Sequence, residues 1–463
     1  MKVLKFGGSS LADGTRIDAV TAIVADAAAG GRIAVVLSAM KGVTDLLISA
    51  ARKAEEGSEG SREALEKIRA QHLAAIRFLF SPPDQAAVIT PVTIMLNDLE
   101  EILHGVELIR ECSARTMDLV MSFGERLSCA LAAAHMRAKG LDAMLVDARE
   151  IILTDDRFGS AGVDFEASYP RIEARLAAIA GIAVIPGFTG ATAKGVTTTL
   201  GRNGSDYTAS IVGAALGADA IEIWTDVDGV LSADPRVVPG AFVIPEVSFE
   251  EAMELSYFGA KVIHPSTMIP AVEKRIPILI RNTLNPSAPG TRIGASGARA
   301  AAHPITGIAS IEGISLLNIE GGGMIGIPGI AARIFSALAR EGVNIIMISQ
   351  ASSEHTISLV FKAGEADRAL GALHRELALE IETGRLEDLA LRRDLAVVSV
   401  IGENMRGTPG IAGRIFSSLG AARVNVLVIA QGSSERNISF VVEGAQESAA
   451  IRTIHDAFLG TPR

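Results

Sequence analysis

The chain is poor in aromatic residues, 4% of 463, with one tryptophan, three tyrosines and two cysteines. Cys112 and Cys129 cannot build a disulfide framework, and neither lies in a C-x-x-C pair of the kind that holds metal or redox chemistry. A reduced, cytoplasmic setting is the simple expectation. There is no run of 18 or more apolar residues, the length a membrane span needs. The N-terminal MKVLKFGGSS passes straight into a strand and a glycine turn with no apolar signal core. A membrane-spanning or signal-directed protein is therefore not expected. Nor is there an excess of positive charge: a net charge of −10 argues against a general nucleic-acid or anionic-membrane surface.

What is present is 49% hydrophobic residues, 21% charged residues and 46 glycines, a composition suited to close helix–sheet packing with many tight turns. The length predicts two to three domains. Residues 2–6 read as a strand, about 13–29 as a helix, and 33–37 as the continuous apolar run of a buried parallel strand. This β-α-β-α alternation predicts a parallel sheet with helices on both faces. From about 60 to 112 the pattern is wholly helical, an insertion between strands. A further helix is expected from Ser122 to Gly140, strands at 143–146 and 182–185, a helix at 248–256 and a strand at 277–281. A Pro/Gly/Ala/Ser-rich passage follows Thr283, and its second part is the best linker candidate.

After that passage the sequence repeats itself. Residues 327–361 align without gaps on 408–442, with 19 of 35 positions identical. Each copy reads as turn, helix, strand, polar hairpin and strand, preceded by a further strand at 314–319 or 395–401. A unit of about 70 residues is small for independent stability, so the copies are expected to pack together.

Several loops carry chemistry-bearing groups. Lys5-Phe6-Gly7-Gly8-Ser9 sets a cation and two glycines at a strand-to-helix turn, where helix amides and a lysine can receive phosphate; an ordinary βα turn has the same appearance. In 197–236 a β-branched run leads to Gly201-Arg202-Asn203-Gly204-Ser205-Asp206, then a helix, then a strand ending in Thr225-Asp226. Ser205 or Asp206 is a natural N-cap, and Arg202 is suited to gripping a carboxylate with two bonds. Ser122-Phe123-Gly124-Glu125 fits an S-x-x-E capping box, or else offers Glu125 to a substrate ammonium. Asp228-Gly229 and Asp234-Pro235 read as turns, and Lys261 offers a second cation near the glycine of Phe258-Gly259-Ala260-Lys261, or else is a solvated helix lysine. His264-Pro265 reads as a turn, since no Cys or His partner stands at metal-ligand spacing.

Taken in order, KFGGSS, VVLSAMKGVT, SFGERLS, GRNGSDYTA, WTDVDGV, ADPR and FGAKVIHP, followed by the duplicated unit, resemble aspartokinase along essentially the whole chain. GRNGSDY, ELSYFGAKVIHP, SQASSE and AQGSSER bring the likeness nearest to the kinase portion of bifunctional aspartokinase–homoserine dehydrogenase. The present sequence stops at Arg463, where that family continues into a dehydrogenase, so dehydrogenase activity is not expected of these residues.

The resemblance implies an α/β fold: an amino-acid-kinase α/β/α sandwich over 1–296, with the helical insertion at about 60–112, and a linker at 297–304. A tandem ACT region of ferredoxin-like α+β type would fill 305–463, repeat 1 at about 312–385 and repeat 2 at about 395–463 with a strand from about 305–311. It implies ATP-dependent phosphorylation of the L-aspartate side-chain carboxylate to 4-phospho-L-aspartate, the opening of lysine, threonine and methionine synthesis. Lys5 and Lys261 would neutralise the transferring phosphoryl group of Mg-ATP, with Asp206 orienting them. Gly7, Gly8 and Ser9 would receive the phosphates, and Thr225, Asp226, Leu231 and Arg236 would hold the nucleotide. Ser38, Thr44, Glu125 and Arg202 match the aspartate pocket, Glu125 towards the ammonium and Arg202 towards a carboxylate. Leu231 departs from the family, where many members carry tyrosine near the adenine, and a hydroxyl contact is lost. Gln350 and Gln431 match positions that bind threonine in the bifunctional family, so threonine is the expected effector, with lysine as the alternative. A sister kinase acting on glutamate and a non-catalytic amino-acid sensor are the rival readings. ATP and Mg²⁺ are the implied cofactors, with no protein metal ligand assigned; a homodimer or homotetramer is expected, and no nucleic-acid or membrane partner.

Overall fold

The computed structural model describes residues 1–259, 264–295, 303–322, 329–350 and 355–460. By contact the chain forms two compact units. The first comprises Met1–Val230, Pro245–Phe249 and Val262–Ser296; the second comprises Leu231–Ile244, Glu250–Lys261 and Gly297–Arg463. A boundary drawn along the sequence at 296/297 thus differs from the grouping by contact, in which two segments ahead of it join the C-terminal unit.

The first unit is built on strands β1 (Lys2–Phe6), β2 (Ile33–Leu37), β3 (Ala143–Leu145), β4 (Leu153–Thr154), β5 (Ile182–Pro186), β6 (Thr189–Thr192), β7 (Thr197–Thr199), β8 (Ala220–Thr225), β9 (Glu246–Ser248), β10 (Ile278–Asn282) and β11 (Thr291–Gly294). Eight of them form one sheet in the order β3-β5-β2-β1-β8-β10-β11-β9, parallel from β3 through β10, with β11 antiparallel to β10. β4, β6 and β7 make a small second sheet. β2 and β5 are buried along their whole length, which is why they read as unbroken apolar runs.

Helices α1 (Gly14–Ala29), α2 (Val43–Glu56), α3 (Gly60–Leu79), α4 (Pro82–Ile109) and α5 (Ala114–Ala138) share one core with the Leu4/Phe6, Val35/Leu37 and Val184 face of the sheet. α6 (Ala148–Ile151), α7 (Phe165–Ala177), α8 (Gly204–Leu216) and α10 (Pro265–Glu273) complete the unit, and α8 packs against β1, β2 and β8. Between α8 and α10 lies α9 (Phe249–Tyr257), whose residues from Glu250 onward group with the second unit. Local signals account for several ends: Asp13 caps α1 by accepting the Arg16 amide, and two prolines open α4 where no amide partner is needed. α5 begins eight residues earlier than the sequence pattern suggested.

The second unit holds a six-stranded antiparallel sheet in the order β13-β14-β12-β15-β17-β16, from β12 (Gly307–Glu320), β13 (Ile345–Gln350), β14 (Thr356–Lys362), β15 (Ala390–Ile401), β16 (Val428–Gln431) and β17 (Asn437–Glu443). The two long strands each serve both repeats. β12 pairs with β15 on both sides of a bulge, 307–311 with 397–401 and 314–318 with 390–395, and residues 314–320 pair on their other side with β14. Pairing with β14 begins just after that bulge, between Ile311 and Ile314, where Gly313 takes φ 64°, a conformation glycine adopts without strain. Helices α11 (Ile330–Arg340), α12 (Ala366–Glu376) and α13 (Ala378–Glu382) belong to the first repeat, and α14 (Ile411–Ala421) and α15 (Glu447–Phe458) to the second. Each repeat has its own core, around Leu317, Ile334 and Phe361 in the first and Val398, Ile415 and Phe440 in the second.

Two side chains of the 231–244 segment, Ala233 and Val238, are part of the second repeat's core. Ser232 pairs with His455 at 3.1 Å, and its carbonyl accepts the Ile308 amide at 2.9 Å. α9 is held to the same unit by Glu251, which accepts the Thr306 hydroxyl and, at 2.8 Å, the Glu403 amide, and by Glu254, which accepts Asn437 at 2.7 Å. Among the described residues no helix is long and apolar enough to cross a membrane.

Candidate active site

In a parallel sheet every strand delivers its C-terminal residue to the same edge, and ligands bind at that edge. Here the edge gathers Lys5 near the end of β1 and Gly7 after it, Ser38 after β2, Gly187 after β5, Thr225 at the end of β8 and Thr283 after β10. Backbone bonds lock them side by side: Gly7 to the Trp224 carbonyl at 3.2 Å, Ser38 to that of Phe6 at 3.1 Å, Gly187 to that of Leu37 at 2.9 Å, and Thr283 to that of Thr225 at 2.9 Å.

The first cluster is electrostatic. Lys5 and Asp206 are each 7% exposed, with Nζ 2.5 Å from Oδ1. The contact is a charge pair without hydrogen-bond alignment at Oδ1, so that oxygen keeps acceptor capacity. Asp206 lies inside the first turn of α8, and neither it nor Ser205 is the cap. The cap is Asn203, at φ 56°, because the chain turns through the left-handed region before the helix starts and leaves its side chain out of the capping bond. Placing Asp206 in the first turn, where amides point outward, favours its negative charge.

The second cluster centres on Glu125. It stands in the middle of α5, so the S-x-x-E sequence is not a capping box; Ser122 returns its hydroxyl to the Leu119 carbonyl at 2.7 Å. The true cap is Ser113, which accepts the Thr116 amide at 3.2 Å. Glu125 is 4% exposed and its Oε2 has no partner among the described residues. Burial raises its carboxyl to about 8, against the Ala39 amide and the Lys5 charge, which both favour ionisation. Such a group is prepared for an incoming cation. Gly124 lets the helix approach closely, since a Cβ there would stand 2.8 Å from the Ala39 side chain.

Ser38 joins the two clusters: its hydroxyl meets that of Ser205 at 2.7 Å, and its carbonyl accepts Ser128 at 2.6 Å. Thr44 lies in the first turn of α2, half-buried, and Arg202 is exposed on the loop before α8. Gly7 and Gly8 form a narrow cradle beside them. A Cβ on Gly8 would come within 3.1 Å of the Ala39 carbonyl, a tight contact, whereas one on Gly7 would meet the Lys5 ammonium at an ordinary 3.5 Å, so the lack of side chains leaves the backbone amides open to approach. Ser9 is half-buried at the head of this turn. Thr225 ends β8 and Asp226 follows it, with the Thr225 hydroxyl donating to Asp226 at 3.2 Å, and Asp226 is exposed.

Three expected positions lie outside the described residues of the first unit. Leu231 opens the second unit and bridges to Val243. Arg236 lies there too, largely exposed and paired with Asp234 at 2.5 Å. Lys261 falls outside the described residues. Gln350 and Gln431 end β13 and β16, both exposed, and these edge strands meet where the Ser349 hydroxyl donates to the Ile429 carbonyl at 3.1 Å. The Ser-Ser-Glu of the first hairpin also falls outside the described residues.

The sequence reading missed several supports. Ser10 bonds Thr283 at 2.7 Å beneath the glycine turn, and Asp228 accepts Asn282 at 2.8 Å and Asn285 at 3.2 Å. Only the second serine of GGSS hinted at the former. Among the described residues no three His, Cys, Asp or Glu side chains form a metal site.

Residues 1–282 match the model of the amino acid kinase family, and 317–377 and 398–458 each match an ACT domain. The chain is 37% identical to the bifunctional aspartokinase/homoserine dehydrogenase of Haemophilus influenzae, over all of this chain and 57% of that protein, and spans about half the length of the first bifunctional relatives it matches. It is 35% identical to chloroplastic aspartokinase 1 of Arabidopsis thaliana, over 98% of this chain and 80% of that protein. The crystal structure of E. coli aspartokinase III with aspartate and ADP matches with a TM-score of 0.82 and 31% identity, over 99% of both chains. The chain therefore belongs to the amino acid kinase family and, within it, to the ACT-bearing aspartokinases.

Proposed function

We propose that this chain transfers the γ-phosphoryl group of ATP to the side-chain carboxylate of L-aspartate. The observation that carries the reading is the buried carboxyl of Glu125, one oxygen of which has no partner among the described residues, beside the buried Lys5–Asp206 pair, at the sheet edge where strand ends and glycine amides converge. Glu125 is suited to an ammonium, Arg202 to a carboxylate, and the Ser38 and Thr44 hydroxyls to orienting bonds. The acceptor carboxylate is already a nucleophile, so no general base is needed. One of its oxygens forms the new O–P bond as the bond from the γ-phosphorus to the β–γ bridging oxygen breaks, and ADP leaves with that electron pair. Catalysis is then alignment and neutralisation of charge on the phosphoryl oxygens. Lys5 supplies one cation, held by Asp206, and Lys261 the second. The Gly7–Gly8–Ser9 turn receives the phosphates, and Thr225, Asp226, Leu231 and Arg236 hold the rest of the nucleotide. Magnesium accompanies the nucleotide phosphates and is given no protein ligand.

We further propose that threonine acts as feedback effector through Gln350 and Gln431, with lysine as the competing ligand. Support comes from their equivalent places at the ends of two edge strands that touch. Exposed Ile348 and Ile429 on those strands favour pairing between subunits, as a homodimer or homotetramer. The decisive measurement is ADP release with ATP and aspartate, then with glutamate. Activity with aspartate alone is expected; activity with glutamate only, or with neither, would overturn the assignment.

A further inference from the structure

The chemistry above leaves one fully buried carboxylate unused. Asp118 lies on α5, seven residues and about two helical turns before Glu125, with 0% exposure. Its Oδ1 accepts the Thr199 hydroxyl at 2.8 Å and the Gly159 amide at 3.1 Å. Its Oδ2 accepts the Thr199 amide at 2.9 Å and the Gly159 amide at 3.0 Å. A buried carboxylate is costly unless donors surround it, and every donor here comes from one of two segments. One is the loop around Gly159, the other the last residue of β7. Those segments are also joined directly, the Ala161 amide donating to the Thr199 carbonyl at 2.9 Å. Gly201, at φ 78°, rests on the same loop, its Cβ position 3.1 Å from the Ser160 hydroxyl. Arg202 follows immediately, three residues after Thr199.

We infer that Asp118 is a positioning residue of the aspartate site. One rigid helix presents Glu125 at one point and, through Asp118, fixes the strand end that delivers Arg202. The ammonium partner and the carboxylate partner of a single small substrate thereby keep a fixed separation, although they lie far apart in sequence and Arg202 itself is exposed. This inference rests on the proposed roles of Glu125 and Arg202. It also assigns the Thr199 hydroxyl a purpose beyond strand formation, because a valine there would suit the strand equally well.

The test is steady-state kinetics of the full chain, varying aspartate and ATP separately, with thermal melts alongside. Asp118→Asn keeps the shape but turns an acceptor into a donor facing two amides. It is expected to raise KM for aspartate about 10-fold or more while KM for ATP stays within about two-fold. Thr199→Val removes one bond and keeps the amide contact; a rise of about three-fold in the same constant is expected, and this variant decides the matter if Asp118→Asn does not fold. A purely structural role would lower the melting temperature and the active fraction without separating the two KM values, and that result overturns the inference. Arg202→Ala distinguishes the levels. If it leaves KM for aspartate unchanged, the site reading itself fails; if it raises KM and both the Asp118 and Thr199 variants leave it unchanged, only the role of Asp118 is lost.

Discussion

The two units place their charges differently. In the first, Lys5, Asp118, Glu125 and Asp206 are all under a tenth exposed; Lys5, Glu125 and Asp206 stand at one edge of a parallel sheet, and Asp118 is tied to the loop at Gly159 and the end of β7. In the second, the conspicuous ion pairs lie at the surface: Arg333 with Glu376 and Glu380, Arg392 with Glu443, Arg436 with Glu403. Where carboxylates are buried there, as at Glu251, they join pieces of chain. A charge removed from water interacts strongly with whatever enters beside it, whereas an exposed pair is screened and contributes little. The first arrangement suits the transfer of a phosphoryl group. The second holds elements of the repeats together at their surface.

That contrast sets the order of expected effects. Lys5→Ala should cost about 10²–10³ in kcat, measured by ADP release, while the repeats keep their folded circular-dichroism signal; unchanged turnover would remove Lys5 from the site. Glu125 gives a pH signature. Its folded carboxyl is raised to about 8 from an ordinary value near 4.5, so its share of stability is present at low pH and is lost as pH rises through about 8. Between pH 5.5 and 8.5 the wild type should therefore lose on the order of a few kcal/mol relative to Glu125→Gln, read from denaturant melts. An ammonium arriving beside the carboxyl favours its ionised form, so aspartate binding below pH 8 should release protons, detectable by calorimetry in buffers of different ionisation enthalpy. A pH-independent difference between wild type and Glu125→Gln would show that the carboxyl is not held neutral.

In the second unit the effects should be smaller and of another kind. Gln431→Ala is expected to weaken threonine binding about ten-fold in isothermal titration with kcat in the absence of effector unchanged; equal heats from both proteins would remove Gln431 from the effector site. Arg333→Ala, which breaks a half-exposed pair, should lower the melting temperature by about 2 °C or less. A larger drop would mean that the surface pairs of the repeats carry more than their exposure allows.

Much of this arrangement was legible in the sequence, since strand ends and glycine turns are local. The parallel strands, the helical insertion and the duplication announce themselves by periodicity and by identity. The environment of Glu125 did not, because S-x-x-E has the form of a capping box, whereas the cap is Ser113, nine residues upstream of Ser122, which accepts the Thr116 amide. Asp118 was silent for a related reason: an acid among Thr, Met, Leu and Val on a helix looks like a surface residue until its donors arrive from residues 159 and 199. The allegiance of Leu231–Ile244 was equally hidden, since Ala233 and Val238 would suit any core.

That segment has a practical consequence for dissecting the chain. A fragment cut at the sequence linker and beginning at residue 305 would leave behind Ala233, Val238, the Ser232 partner of His455 and the Glu251 acceptor of Thr306. Its second repeat would present an uncovered apolar patch and unanswered polar groups, while its first repeat would keep its helix core whole. The two halves of one duplication would then differ in solubility, and the repeat nearer the C-terminus would be the one to aggregate first.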